Sequence, residues 1–415
     1  MQSQNDFCGS SLSGDEMKSI LFVINTLGTG GAEKAMLELL QRLDLKKYEL
    51  SLFVLTGQGE LIGQVPKGVK ILNRKYYPVS VHDRQGKKRL FKTVIRALFL
   101  QGGWKRIGYI IRCLRDMAGQ GNIQKDKILW KILSDGAQKL EQEYDLAVAY
   151  LEGGASYYVA SHVKAKKKAA FIHINYILAG YSRKLDEDCY LAFDRIFTVA
   201  EDVKEVFLSV YPECKERTEV FYNLVDREKI VRMSQEEGGF SDSYDGYRIL
   251  TVSRLVTQKA LLVAVETMKR LKAAGKSFRW YVLGEGEMRK KLEEQIRAFG
   301  LEDDFILLGA VSNPFPYYVQ CDLYVHTSYF EGKSIAIEEA QILGCAILVS
   351  DYSGVRSQVK DGVDGKICEL DAGIMAEEIM DFADQPQRWA EYGRAASKRK
   401  RTDSQKEVDK LITLL

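Results

Sequence analysis

Short apolar runs alternate with amphipathic stretches along almost the whole chain. The first set of runs is Ile20–Asn25, Leu50–Leu55, Val69–Leu72, Leu146–Leu151, Ala169–His173, Ile196–Val199 and Val220–Tyr222. After a polar interval from Asp226 to Tyr247 the pattern restarts with Ile249–Ser253, Arg279–Leu283, Phe305–Leu308, Leu323–His326 and Ala346–Ser350. Near-continuous apolar runs suit parallel strands whose sheet is covered by helices on both faces. Two successive sets of β-α units therefore predict two doubly wound α/β domains, each built on a parallel sheet. A chain of 415 residues agrees with two cores rather than one. The stretch 235–246, rich in Ser, Gly and acidic residues, has little to bury and is the expected linker between domains 17–234 and 247–395. Residues 396–415 contain no strand candidate and are expected to form a helix returning to the first domain. Residues 1–16 are polar, lack the pattern of a signal peptide and are expected to be a disordered lead-in.

Composition narrows the function classes. A formal charge of +3 from 60 basic and 57 acidic side chains does not fit a globally basic nucleic-acid binder. The seven cysteines are scattered, odd in number and without a C-x-x-C pair, which suits reduced thiols in a cytoplasmic protein. The four histidines lack metal-ligand spacing, so no metal site is expected. No segment supplies the roughly 20 apolar residues of a membrane span. One segment stands apart: 84–112 holds nine basic residues and no acidic ones, interleaved with Leu90, Phe91, Val94, Ile95, Leu98, Phe99, Leu100, Trp104, Ile107, Tyr109 and Ile110. Such a pattern suits either an anionic membrane surface or a helix packed on the first sheet with a solvated basic face.

Several motifs carry chemistry. Gly28-Thr29-Gly30-Gly31-Ala32-Glu33-Lys34 follows a strand and opens a helix, where glycines permit close backbone approach to an anion. Gly284-Glu285-Gly286-Glu287-Met288-Arg289 nearly matches a dinucleotide fingerprint, but Arg289 stands where the third glycine belongs. Gly332-Lys333-Ser334 is not a P-loop, because Thr327 occupies the position of the leading glycine. Arg254 directly follows the strand run Ile249–Ser253, and Lys259 comes five residues later. Cations at the carboxyl end of a parallel strand lie where open α/β sheets bind ligands, and two of them would neutralise a diphosphate. Glu331 and Glu339, with seven residues between them, lie between the end of a strand and a helix beginning near Ser334. Taken alone, each of these groups reads as readily as a tight turn, surface cations or solvated glutamates. Their order along one sheet gives them weight.

With these residues the chain resembles a retaining family 4 glycosyltransferase (glycosyl transferases group 1) of the GT-B fold, two Rossmann-like domains facing each other across a cleft. The resemblance runs from about Lys18 to Ile367. Its parts occur in the family's order: Gly28–Lys34, Ile172-His173, Tyr222-Asn223-Leu224-Val225-Asp226, Ser253-Arg254-Leu255 with Lys259, Leu283–Gly286, then Ser328–Gly332 through Glu339-Ala340 and Gly344. The resemblance implies roles. Arg254 and Lys259 would hold the donor diphosphate, with Gly332, Lys333 and Ser334 cradling sugar and phosphate through backbone amides. Glu339 would bind the ribose. Glu331 and His173 would stand at the transferred sugar as catalytic residues, and Gly30 and Gly31 would form the donor/acceptor loop.

The resemblance further implies metal-independent transfer of a hexose or N-acetylhexosamine from a UDP-sugar to a glycan or lipid-linked glycan in cell-surface polysaccharide synthesis. The expected location is cytoplasmic, peripheral on the inner face of the membrane. A sugar-nucleotide epimerase, a phosphorylase, or a non-catalytic glycan- or nucleotide-binding subunit are the alternatives. This chain departs from the family pattern in places. Ala260 replaces the glycine usual after the lysine, Lys333 and Ser334 replace a more usual aromatic and small residue, and Gln358 is the nearest candidate for a frequent glutamate.

Overall fold

A computed structural model describes residues 17–81, 83–100, 107–119 and 125–415. The expected lead-in 1–16 and residues 101–106 of the basic segment, Trp104 included, lie outside the described residues.

The first sheet has seven parallel strands: β1 (Lys18–Ile24), β2 (Tyr48–Val54), β3 (Lys70–Ile71), β4 (Glu143–Ala149), β5 (Lys164–Ile172), β6 (Arg195–Thr198) and β7 (Thr218–Val220), in the order β3-β2-β1-β4-β5-β6-β7. The second has six: β8 (Tyr247–Val252), β9 (Phe278–Leu283), β10 (Phe305–Gly309), β11 (Leu323–His326), β12 (Ile347–Ser350) and β13 (Lys366–Cys368), in the order β10-β9-β8-β11-β12-β13. Both are doubly wound sheets, as the run pattern predicts. Among the described residues β13 is the one strand the pattern did not show; three residues are too few for a periodic signal.

Each sheet separates two apolar layers. In the first domain Leu21, Val23, Ala147 and Ala149 face one layer, and Ile20, Phe22, Leu146 and Val148 the other, which is the two-residue period of a strand buried on both sides. The strand order reverses between β1 and β4, and again between β8 and β11. Crevices open at the carboxyl ends of strands at such points.

Packing refines the boundary between the domains. The helix Arg227–Ser234 precedes the polar stretch 235–246, yet its Ile230 is buried in an apolar cluster of the second domain with Leu250, Tyr281 and Tyr318. The C-terminal helix Ser404–Ile412 crosses back to the first domain and buries Val408 and Leu411 against the β1–β2–β4 layer. Glu407 Oε2 there accepts the Tyr222 amide at 3.0 Å, and Lys410 Nζ donates to the Val220 carbonyl at 2.6 Å.

Candidate active site

The first wall of the site is the loop after β8. It is held from below by the turn Gly284–Gly286: the Leu255 amide donates to the Glu285 carbonyl and the Met288 amide to the Leu255 carbonyl, both at 2.9 Å. A Cβ on Gly284 would lie 1.8 Å from the Ser253 carbonyl oxygen, and one on Gly286 2.3 Å from that of Leu255. Close packing against the loop that bears Arg254 is thus what these glycines permit. Ala260 has φ of 49°, the left-handed region that favours glycine, so the departure noted in sequence carries local backbone strain beside Lys259.

Lys259 and Glu331 are both buried and form an ion pair between their side chains. His326 Nε2 lies 3.2 Å from the same Glu331 oxygen, and its Nδ1 lies 3.0 Å from the Tyr324 hydroxyl. Backbone clasps fix the two loops to each other: Thr327 Oγ1 donates to the Lys259 carbonyl at 2.7 Å, and Gln258 Nε2 to the Phe330 carbonyl at 2.7 Å. Burial alone would raise the Glu331 pKa, but Lys259 and His326 outweigh it and hold the carboxyl well below its ordinary range.

Glu339 lies one turn into the helix Ile335–Ile342, and its Oε2 accepts the Tyr318 hydroxyl at 3.0 Å. Burial pushes its carboxyl upward, opposed by the charge of Lys34 from the first domain and by the Tyr318 hydrogen bond. If Glu339 serves a ligand's ribose, Tyr318→Phe should weaken UDP binding. A lost hydrogen bond of about 1–1.5 kcal/mol corresponds to roughly 5–10-fold in Kd, readable by calorimetry.

The opposite wall comes from the first domain. Gly30 is the N-cap of the helix Gly31–Arg42, and a Cβ on Gly31 would stand 3.6 Å from Ile335 Cδ1 of the second domain. The His173 amide donates to Glu152 Oε2 at 3.0 Å. The His173 ring is hydrogen-bonded to the Tyr150 backbone, and burial pushes its pKa down to about 4, so it is neutral near pH 7. Its Nε2 is buried without a partner. In a neutral ring whose other nitrogen donates, that atom is an acceptor. The second domain presses on this strand end: a Cβ on Gly332 would lie 2.2 Å from the His173 carbonyl oxygen and 3.1 Å from Val199 Cγ2.

Lys259 and Glu331 are therefore in direct contact, Glu339 stands on the following helix, and Gly31 and Gly332 lie where the domains meet. Arg254 is exposed, and its charge lowers the pKa of two first-domain carboxyls, Glu33 and Glu152, which burial raises. Two groups beside this cradle have partners within the protein. The Lys333 ammonium lies 3.5 Å from Glu338 Oε2 and 4.7 Å from the centre of the Tyr222 ring, so its charge is directed at the first domain. The Ser334 amide donates to Gln358 Oε1 at 2.8 Å while Gln358 Nε2 returns a 2.8 Å bond to the Ser334 carbonyl, so that amide is satisfied within its own domain.

Sequence reasoning missed Glu33, Glu152, Tyr318, Tyr324 and His326. Glu33 stood inside a quoted motif, but only the fold shows that it faces Arg254. Tyr324 and His326 read as ordinary members of an apolar strand.

Residues 240–399 match the family model described as glycosyl transferases group 1. A Campylobacter jejuni N-acetylgalactosamine-N,N'-diacetylbacillosaminyl-diphospho-undecaprenol 4-alpha-N-acetylgalactosaminyltransferase is 31% identical over 172 residues, 41% of this chain and 44% of that relative. The matched stretch thus spans less than half of the relative's length. A second C. jejuni protein, a GalNAc-alpha-(1->4)-GalNAc-alpha-(1->3)-diNAcBac-PP-undecaprenol alpha-1,4-N-acetyl-D-galactosaminyltransferase, is 22% identical over 86% of both chains. Among solved structures, HepE of Anabaena in complex with UDP-glucose superposes with a TM-score of 0.67 at 17% identity, covering 95% of this chain and 100% of that one. A glycosyltransferase from Rickettsia africae superposes with a TM-score of 0.61 at 14% identity, over 96% and 97% of the two chains. Its second domain is thus matched by the model of the glycosyl transferases of group 1, and the chain as a whole has the GT-B fold.

Proposed function

We propose that the protein is a retaining glycosyltransferase that moves a hexose or N-acetylhexosamine from a UDP-sugar to a glycan or lipid-linked glycan acceptor in cell-surface polysaccharide synthesis. The observation that carries this reading is the buried Lys259–Glu331 pair at adjoining strand ends, with Glu339 on the next helix and the His173 backbone of the other domain packed against Gly332. The names of the two Campylobacter relatives support a lipid-linked acceptor, and the UDP-glucose complex of the Anabaena structure supports the donor class.

In this reading the bond between the sugar's anomeric carbon and the diphosphate oxygen breaks as the acceptor oxygen bonds that carbon on the same face. The acceptor's proton passes to the departing phosphate. Lys259 and Arg254 stabilise the charge that grows on the diphosphate, more in the transition state than in the ground state. Glu331, kept ionised, would stand at the sugar, and the unpartnered Nε2 of His173 would accept a hydrogen bond from a sugar hydroxyl. Domain closure would exclude water that otherwise hydrolyses the donor. Because the cations are side chains, transfer should persist in EDTA.

The basic segment fits a membrane-surface role in the same reading. It forms the helices Arg84–Leu100 and Ile107–Gly119. Val94 and Ala97 of the first are buried in the domain, while Phe91 is 66% and Ile95 39% exposed among Lys88, Lys92 and Arg96; Ile111 of the second is 47% exposed beside Arg112 and Arg115. Among the described residues no helix is long and apolar enough to cross a membrane. Outward apolar side chains ringed by cations would attach reversibly to anionic lipid, at about 1 kcal/mol per surface-proximal Lys or Arg.

A thermal-shift screen of UDP-, GDP- and ADP-sugars tests the donor. The correct one at 100 times its Kd should stabilise the fold by about 2.7 kcal/mol. A screen in which no nucleotide sugar shifts the transition defeats the reading, and epimerisation of free donor without transfer would favour the epimerase alternative.

A further inference from the structure

Glu331 is held by more than the cation it faces. His326, on β11, is fully buried and sits directly behind the carboxylate, with Nε2 3.2 Å from Glu331 Oε1 and Nδ1 3.0 Å from the Tyr324 hydroxyl. These contacts set the proton positions. Glu331 is ionised and offers only acceptors, so the nitrogen facing it must carry the hydrogen. A bare Nε2 would oppose its lone pair to the carboxylate's. Burial keeps the ring neutral, which leaves Nδ1 as an acceptor, and the Tyr324 hydroxyl, itself fully buried, donates to it. The order is therefore Tyr324 O–H to His326 Nδ1, His326 Nε2–H to Glu331, with Lys259 on the same carboxylate oxygen.

Lys259 alone would not fix that oxygen. An ammonium on a four-carbon stem has three rotatable donors, and on the assignment above its charge is also drawn to the incoming diphosphate. As Lys259 turns toward the ligand, Glu331 would lose its main restraint at the moment its position matters. A planar ring packed in a sheet, with its tautomer fixed by a tyrosine behind it, has no such freedom.

We propose that His326, with its tautomer set by Tyr324, is a positioning residue that keeps the Glu331 carboxylate aimed at the donor sugar whether or not Lys259 is engaged by the diphosphate. It does not touch the substrate. The inference rests on the glycosyltransferase reading and assigns this site a further residue, which predicts an effect on turnover separable from nucleotide binding.

The test exploits the two amide isosteres of histidine, since the glutamine amide nitrogen reaches the place of Nε2 and that of asparagine the place of Nδ1. Full-length protein and the variants His326→Gln, His326→Asn and Tyr324→Phe are compared in UDP affinity by calorimetry and in UDP release from the UDP-sugar that the wild type turns over. His326→Gln should keep turnover within about fivefold and His326→Asn should lose 30-fold or more, with UDP affinity in both within about twofold of the wild type. Tyr324→Phe should fall between them. Equal turnover of the glutamine and asparagine variants, with UDP affinity intact, overturns the proposal.

A second measurement needs neither activity nor a folded variant. Protein labelled with ¹⁵N-histidine has only four imidazoles to resolve, and His326 should report the neutral Nε2–H tautomer. A neutral Nδ1–H tautomer at His326 overturns the assignment. Failure of the wild type to bind UDP or to release it from any donor would instead sink the functional reading, while the tautomer result stands apart from it.

Discussion

Lys259→Met is expected to abolish transfer and to destabilise the fold together. Lys259 and Glu331 are both about a tenth exposed at the side chain, so their ion pair is shielded from bulk water. Removing one partner of a buried pair leaves the other charge uncompensated, at a cost of about 3–5 kcal/mol. In the assigned role the same ammonium stabilises the departing diphosphate, where loss of one preorganised donor costs about 3–4 kcal/mol, or roughly 10²–10³ in kcat. The two effects separate by pH. In the wild type the Glu331 carboxyl is depressed, so the pair's contribution to stability is fully present above the ordinary glutamate pKa and is lost as pH falls through the depressed folded value. Without Lys259 the largest cause of that depression is gone, and the stability difference between variant and wild type should shrink in strong acid. Urea melts at pH 7 and near pH 3, together with turnover of a UDP-sugar, check both halves. A variant of unchanged stability and turnover would show that the pair has neither role.

Gly332→Ala is expected to act through geometry rather than charge. The added methyl group would need the space of the His173 carbonyl oxygen, 2.2 Å away on the other domain, with Val199 Cγ2 at 3.1 Å. A contact that short must be relieved, and because the obstacle is backbone and belongs to another domain, parting of the domains is the available route. Each domain keeps its own core, so unfolding should change little. The cleft would fail to close, and misplacement of reacting groups by about 1 Å commonly costs around 10²-fold. Solution scattering should show a larger radius of gyration for the variant with UDP bound, alongside lower kcat and higher donor hydrolysis relative to transfer. A compact, fully active alanine variant would show that the interface has more slack than this contact allows.

How much could be read in advance varied with the range of the interactions involved. Twelve of the thirteen strands among the described residues announced themselves as apolar runs, because a strand buried on both faces must be apolar at nearly every position. The thirteenth, Lys366–Cys368, is short and takes its identity from pairing with β12. Arg254, Lys259, Glu331 and Glu339 drew attention because they follow strands or begin a helix, a local property. The motif gave no partner for the Lys333 side chain, which lies over the ring of Tyr222, more than a hundred residues earlier in the chain. Ser334 likewise lost its free amide to Gln358, a partner set by the fold. The glycines at 284 and 286 only nearly matched a dinucleotide fingerprint, and their close approach is to the backbone of Ser253 and Leu255.

By itself the sequence determined the architecture: two parallel sheets, a polar joint, a helical end, and the order of the loops that reach the strand ends. Those features follow from the period of apolar residues and from charges beside strand ends, which act over a few residues. Only the tertiary structure decided which charges meet, that Lys259 lies on Glu331 and Arg254 acts on Glu33 and Glu152, and that a buried histidine stands behind the glutamate. The physical reason is that burial multiplies the strength of a charge or hydrogen bond. Burial at those positions is created when distant segments close over one another, and no local stretch of residues records it.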